Sequence, residues 1–406
     1  MNDVPLVDFS PTLRLGLLAL VIATLPLSWV WLRQRGRDTG ARIAALTAVT
    51  LFLTFDLIVF GAFTRLTDSG LGCPDWPGCY GAASPIGAHG DIQAAQTAMP
   101  SGPVTFTKAW IEMIHRYLAM TVGVLILVMA VTSWLGARRG PASLGGAQPV
   151  LPHSPWWPTV TLVWVIIQGL FGKYTVTLKL YPAVVTAHLL GGMFLLALLM
   201  VQHETWRGRR LALTPVQWAW AVGVTAVLWV QIALGGWVST NYAVLACTGF
   251  PTCNGQWWPE MNFAEGFTVV RELGRSGEGS FIPMQALVAI HMVHRIVALV
   301  LFAGLCGLAW RLWVGADAAL RRTALWLLGL ALWQMLSGLS NVVLGWPLVA
   351  ALAHSAGAAG LVAVTTSLIA RARAGLRRGA EAVAPGQALG HAGMRVGWPP
   401  KIRRSP

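Results

Sequence analysis

Charge is what this 406-residue sequence has least of: Asp, Glu, Lys and Arg make up 11% of it, and 55% of it is apolar. That balance excludes an ordinary soluble domain, in which about a quarter of residues are charged. Carboxylates are scarcer than cations, 15 against 29. Cysteine is scarce too: there are five, and four fall in two C-x5-C pairs, so no loop offers more than two thiols. A basic leader is missing ahead of the first apolar stretch. That stretch is also too long for a signal peptide and lacks a small-x-small cleavage site behind it, so it reads as a retained helix.

The apolar residues are gathered into stretches about as long as a bilayer is thick. The pattern predicts nine transmembrane helices, at roughly 12–33, 43–63, 111–135, 157–175, 183–203, 214–238, 284–310, 321–343 and 347–370. The formal charge of +14 invites a nucleic-acid reading, but its distribution argues against one. Arg33, Arg35, Arg37 and Arg42, then Arg138 and Arg139, then Arg207, Arg209 and Arg210 occupy alternate connections. Arg311, Arg321 and Arg322 follow, and the tail adds Arg371, Arg373, Arg377 and Arg378. If the spans alternate, all lie on one side, which the positive-inside rule makes the cytoplasm. Two long segments, about 64–110 and 239–283, then face outward.

The chain also repeats itself. "GLGCPDWPGCYG" (Gly70–Gly81) matches "VLACTGFPTCNG" (Val244–Gly255). Each follows a span ending in a Gly-rich turn, and each precedes a helix opening on His-Arg, His115-Arg116 or His294-Arg295. Two spans later each half has another histidine just after a proline, His188 in "YPAVVTAHLLGG" and His354 in "WPLVAALAHSAG". A glutamine twenty residues upstream recurs as Gln168 and Gln334. Four shared features in one order indicate internal duplication. Each half holds four spans, an even number, so the repeats run parallel through the bilayer. The expected fold is an all-α integral membrane protein of two parallel tandem four-helix bundles plus an extra N-terminal transmembrane helix. Its divisions are 1–42 for the extra helix, 43–205 and 206–375 for the repeats, and 376–406 for a disordered cytoplasmic tail.

In that topology His115, His188, His294 and His354 each lie one or two turns below the outer face. Ionisable groups at such depth are costly and usually functional. Two imidazoles facing each other from two helices suit the axial positions of haem iron, whose flat apolar ring a helix bundle can enclose. Zinc would need three or four ligands together, which neither half supplies. The plainer alternative is a histidine hydrogen-bonded to a neighbouring helix; paired and duplicated placement argues against it. His89, His153, His203 and His391 fall in loops, at a helix end or in the tail and read as structural. Arg116 and Arg295 are candidates for pairing with haem propionates, or else snorkel to the interface.

The halves differ at one position. Glu112 precedes His115 by three residues and shares its helix face, whereas His291 stands in that place before His294. A carboxylate beside a haem edge is a candidate general base or cation stabiliser; the alternative is an interfacial glutamate satisfied by Lys108 or water. Cys73 with Cys79, and Cys247 with Cys253, sit in the outer segments where disulfides persist. Structural staples, a redox role for the first pair and metal binding all remain open at this point. Cys306, inside the seventh span, reads as packing.

At "TRLTDSGLGCPDWPGCYG", "KAWIEMIHRYLA", "YPAVVTAHLLGG", "CTGFPTCNG", "HMVHRIVA" and "PLVAALAHSAG" the sequence resembles the haem A synthase family, over roughly 55–360. The resemblance implies oxidation of a haem O methyl group to a formyl group by successive hydroxylations. It implies haem O as substrate in the first half, on His115 and His188, and haem b as cofactor in the second, on His294 and His354. It matches Glu112 to the family's catalytic glutamate, and Cys73 and Cys79 to a cysteine pair forming a disulfide that assists electron or substrate transfer. Candidate partners are the lipid bilayer, haem O synthase and oxidase assembly factors, an electron donor or acceptor, and further copies of the chain. The implied location is the bacterial inner membrane, with cysteine loops periplasmic and the tail cytoplasmic. The extra helix at 12–33 departs from the family's eight-span core. A di-haem b-type electron carrier without haem-modifying activity predicts the same histidines but gives no reason for the lone Glu112. A transporter of parallel repeats would use them as proton relays.

Overall fold

The computed structural model describes residues 10–138, 154–315 and 317–383. Among these residues nine helices are long and apolar enough to cross a membrane. They are α1 (Ser10–Arg33), α2 (Thr39–Leu66), α4 (Phe106–Arg138), α5 (Trp156–Thr177), α6 (Pro182–Arg207), α7 (Pro215–Thr240), α9 (Met284–Trp313), α10 (Ala318–Val343) and α11 (Leu348–Val383). Two short helices, α3 (His89–Ala98) and α8 (Phe263–Gly266), lie in the segments that carry the cysteines. The sequence pattern gave no sign of either.

Helix ends follow local chemistry. Thr214 accepts from Gln217 N while Gln217 reaches back to Thr214 N, a reciprocal cap that starts α7 ahead of Pro215. Asp38 and Asp317 cap α2 and α10. Gly208, at φ 61°, stops α6 in the left-handed conformation that a side chain disfavours. Most helices outrun the predicted spans by a turn or so at an end, since the apolar window marks hydrocarbon while the hydrogen-bond ladder continues through the interface. The largest overrun is α11, which continues to Val383 through the Ala- and Arg-rich stretch after Arg371. The first residues of the supposed disordered tail are therefore helical, as strong helix formers allow. Residues 384–406, with His391, lie outside the described residues, as do Arg139 and His153.

The helices close two rings. In one, α2 touches α4, α4 touches α5, α5 touches α6 and α6 returns to α2; in the other α7, α9, α10 and α11 repeat that order. Between the rings α6 packs on α11, α2 on α11 and α6 on α7. Exchanging α2 with α7, α4 with α9, α5 with α10 and α6 with α11 leaves this set of neighbours unchanged. α1 stands outside, against α4 and α2.

Buried threonines inside the bundle are satisfied within their own helix, as a dehydrated setting favours. Along α2, Thr47, Thr50 and Thr54 are buried and donate to the carbonyls of Ile43, Leu46 and Thr50 at 2.7–2.8 Å. Outward surfaces are apolar: Leu25, Phe52 and Leu336 are 74%, 63% and 65% exposed in mid-helix. At the arginine-rich end, Arg33, Arg311 and Arg373 lie over the rings of Trp29, Trp220 and Trp218, the aromatic and cationic fringe of a bilayer boundary.

Candidate functional site

The site lies at the other end, beneath the cysteine segments. Both pairs are bonded, Cys73 to Cys79 and Cys247 to Cys253, each sulfur pair buried. The first loop is pinned to α4 by close backbone approach. A β-carbon at Gly72 would fall 2.5 Å from Lys108 O and 2.6 Å from Ala109 N, so only glycine fits. That approach brings Cys73 N within 2.8 Å of Glu112 Oε2. The other carboxylate oxygen pairs with Arg116, one turn along α4. Arg116 also donates to the carbonyls of Asp75 (2.9 Å), Pro77 (3.1 Å) and Gly78. Glu112 and Arg116 are both buried, so the loop, the arginine and the carboxylate form one charge-neutral unit. Lys108 takes no part; its ammonium donates to Gly102 O.

Arg295 does for the second loop what Arg116 does for the first, donating to the carbonyls of Thr252 (3.2 Å) and Gly249 (3.0 Å). Here no carboxylate joins it. His291, in the position of Glu112, is buried and bonds through Nδ1 to Ala243 O at 2.8 Å. Both guanidiniums expected to meet propionates are thus engaged with loop carbonyls, which a propionate would have to share.

The four histidines stand on four different helices, His115 on α4, His188 on α6, His294 on α9 and His354 on α11. Each of these residues is partly buried. Each also faces a glycine that the sequence reading overlooked. A β-carbon at Gly61 of α2 would lie 3.0 Å from His115 Nε2, and one at Gly172 of α5 3.5 Å from His188 Cε1. In the second ring, Gly235 of α7 and Gly338 of α10 give 3.1 Å to the Cε1 atoms of His294 and His354. A signal for them was available. Gly61 and Gly235 each precede the first cysteine of their half by twelve residues, and Gly172 and Gly338 precede His188 and His354 by sixteen.

The surroundings of the two pairs differ. Ser337 Oγ lies 3.0 Å from His354 Nδ1, and Gln334 Nε2 donates to His354 O at 2.9 Å. The Gln231 amide nitrogen is 3.0 Å from His294 Nδ1, while its Oε1 is buried without a partner. In the first ring His188 Nδ1 is buried and unpartnered, and His115 stacks on Phe60 with ring centroids 6.4 Å apart. Gln168 lies against Gly191 rather than reaching its histidine. Of the remaining histidines, His89 opens α3 and packs edge-on against Phe106 (5.3 Å). His203 sits near the arginine-rich end of α6. Among the described residues no three His, Cys, Asp or Glu side chains gather as a metal cluster. Cys306 is a free thiol, partly exposed on α9.

Comparison with known proteins identifies the family. Residues 44–366 match the family COX15-CtaA, described as cytochrome oxidase assembly protein. The chain belongs to that family. It is 39% identical over 318 residues to a protein of Shewanella oneidensis named heme A synthase, covering 77% of this chain and 92% of that one. Similar proteins of the same name from Maricaulis maris (27% over 334 residues, 76% and 90% covered) and Caulobacter (26% over 351, 83% and 97%) extend the likeness. The nine apolar helices and the family together make this an integral membrane protein. Helix α1 lies outside the matched residues.

Proposed function

We propose that this protein is a haem A synthase, oxidising a methyl group of haem O to a formyl group to supply haem A for terminal oxidases. The carrying observation is the asymmetry of two otherwise matching sites: two histidines, each with a glycine packed against its ring, occur in both, a carboxylate in one. A flat tetrapyrrole needs imidazoles with free ring nitrogens and helix surfaces without β-carbons around them. Four glycines packed against four partly buried histidines fit it.

In this reading 43–205 and 206–375 are parallel repeats, His115 and His188 hold the substrate haem O, and His294 and His354 hold a resident haem b. Bound there, haem b would supply one-electron relay. Each hydroxylation of the substrate methyl adds one water oxygen and releases two electrons and two protons. The electrons pass to the external electron acceptor among the proposed partners; after the second hydroxylation, the hydrate loses water to leave the aldehyde. Glu112 is the group to accept protons and to stabilise positive charge developing at that carbon. Both its oxygens are held, by Cys73 N and by Arg116, yet each retains a lone pair for the reaction. The Cys73–Cys79 loop thereby acts as a positioning element for the carboxylate. Arg295, half-buried, remains the better placed of the two arginines to share a donor with a propionate. The arginine-rich connections face the cytoplasm and the cysteine loops the periplasm of the bacterial inner membrane. Haem O synthase, oxidase assembly factors, an electron donor or acceptor and further copies of the chain are the proposed partners.

The test is chromatography and mass analysis of the pigments that co-purify. Wild type should yield haem B with haem O, its hydroxylated form or haem A. Glu112→Ala should retain haem and accumulate haem O. Haem A made at the normal rate by Glu112→Ala would end this role for the carboxylate, and haem B alone in wild type would favour a di-haem electron carrier.

A further inference from the structure

The two imidazole pairs are framed alike by glycine but not by hydrogen bonds. A histidine that binds iron through Nε2 must carry its proton on Nδ1, and a group accepting that proton fixes the ring and strengthens the ligand. At His354 the geometry supplies one. Ser337 Oγ donates its only proton to Trp333 O at 2.7 Å and can therefore only accept from Nδ1, 3.0 Å away. Gln334 holds the same residue's carbonyl at 2.9 Å. At His294 the Gln231 amide nitrogen lies 3.0 Å from Nδ1 and donates to His294 O at 3.2 Å, which holds the residue in place. Its orphaned oxygen reaches an Nδ1 proton only if that second bond is given up.

In the first half both supports are replaced by hydrocarbon. The position sixteen-plus-one residues ahead of the histidine, Ser337 before His354, is Phe171 before His188. Gln231, four before Gly235, corresponds to Leu57, four before Gly61. His188 Nδ1 is accordingly buried with no acceptor, and His115 stacks on the ring of Phe60.

We infer that this difference sets which haem stays and which leaves: Ser337 and Gln231 are positioning residues that lock the second-half ligands, and Leu57 and Phe171 keep first-half ligation weak enough for substrate to enter and product to depart. The inference rests on the reading that both pairs hold haem. It supplies a reason for the duplicated scaffold to differ away from Glu112. A product that must be handed on gains nothing from tightly oriented ligands, whereas a resident relay does.

The experiment is haem transfer from the purified, haem-loaded protein in detergent to excess apomyoglobin, with the pigment in each kinetic phase identified by chromatography. In wild type, haem O and its oxidised products leave in a fast phase and haem B in a slow one. Ser337→Ala and Gln231→Leu each speed the haem B phase by at least about tenfold, the size typical when a ligand histidine loses its hydrogen-bond partner. They leave the fast phase alone, and Ser337→Thr, which keeps the hydroxyl, restores the slow rate. Phe171→Ser slows the fast phase. Unchanged haem B transfer in both Ser337→Ala and Gln231→Leu overturns the inference while leaving the haem reading intact, as does a wild type in which both pigments leave at one rate. A purified protein without a Soret band overturns the haem reading and this inference with it.

Discussion

Replacing Arg116 by methionine tests whether the first cysteine loop, the arginine and the carboxylate form a single unit. Their side chains are only 9% and 5% exposed, and Arg116 additionally holds three loop carbonyls. Methionine fills much of the same volume but strands the Glu112 charge in a dry setting, at a cost of about 3–5 kcal/mol. Arg295→Met is the control. Its guanidinium is half-buried, bonds only carbonyls and faces no carboxylate, so its loss should cost about 1 kcal/mol. If the larger cost is a stranded charge, adding Glu112→Gln to Arg116→Met should recover at least about 2 kcal/mol, because an amide is far easier to bury than an unpaired carboxylate. The assay is denaturant unfolding in detergent micelles followed by tryptophan fluorescence, with the single and double variants in one cycle. Costs that simply add, or an Arg116→Met no less stable than Arg295→Met, would refute the coupling and the positioning role of the loop.

Other outcomes follow from the same geometry. Gly61→Val should displace His115 and lower haem O content while haem B is retained, and Gly338→Val should do the reverse, as read by pigment extraction. Cys73→Ser with Cys79→Ser should reduce haem A formation more than Cys247→Ser with Cys253→Ser, because only the first loop touches a carboxylate; equal losses in product assays would contradict this. Tyr242 links the two halves outside the membrane, donating to Asp68 at 2.6 Å beneath the Arg65 guanidinium. Burial, aided by that hydrogen bond to Asp68, raises its phenol pKa above the ordinary value. A raised phenol favours the fold while protonated, so this contribution is complete below about pH 10 and disappears as pH rises through the folded-state value. Tyr242→Phe should remove that alkaline loss from the unfolding profile without altering stability's pH dependence near neutrality.

Much of the architecture was legible because hydrocarbon imposes few solutions. Runs such as 43–63 and 183–203 had to be helices. The histidine pairs and the lone Glu112 were legible because an ionisable group in an apolar helix stands out, and because the duplication provides an internal reference. Helices α3 and α8 were not, since short amphipathic turns in a Gly- and Pro-rich segment lack a sustained period. Neither was the extension of α11 to Val383, where a charged, alanine-rich stretch reads equally as helix or as solvated tail.

The sequence by itself determined that the chain crosses the membrane, that it is built of two matching parts, and that one part alone has a carboxylate beside its histidines. Those follow from hydropathy, order and spacing, which are properties of a line. Which groups Arg116 and Arg295 hold, which glycines clear space for the imidazoles, and which histidines have hydrogen-bond support were decided by tertiary structure. Gly61 meets His115, and Arg116 meets the carbonyl of Asp75, 41 positions or more apart in the sequence and between different segments. Such meetings depend on how helices rotate and how closely backbones approach, and glycine or serine in a helix sequence gives no direction until a neighbour is packed against it.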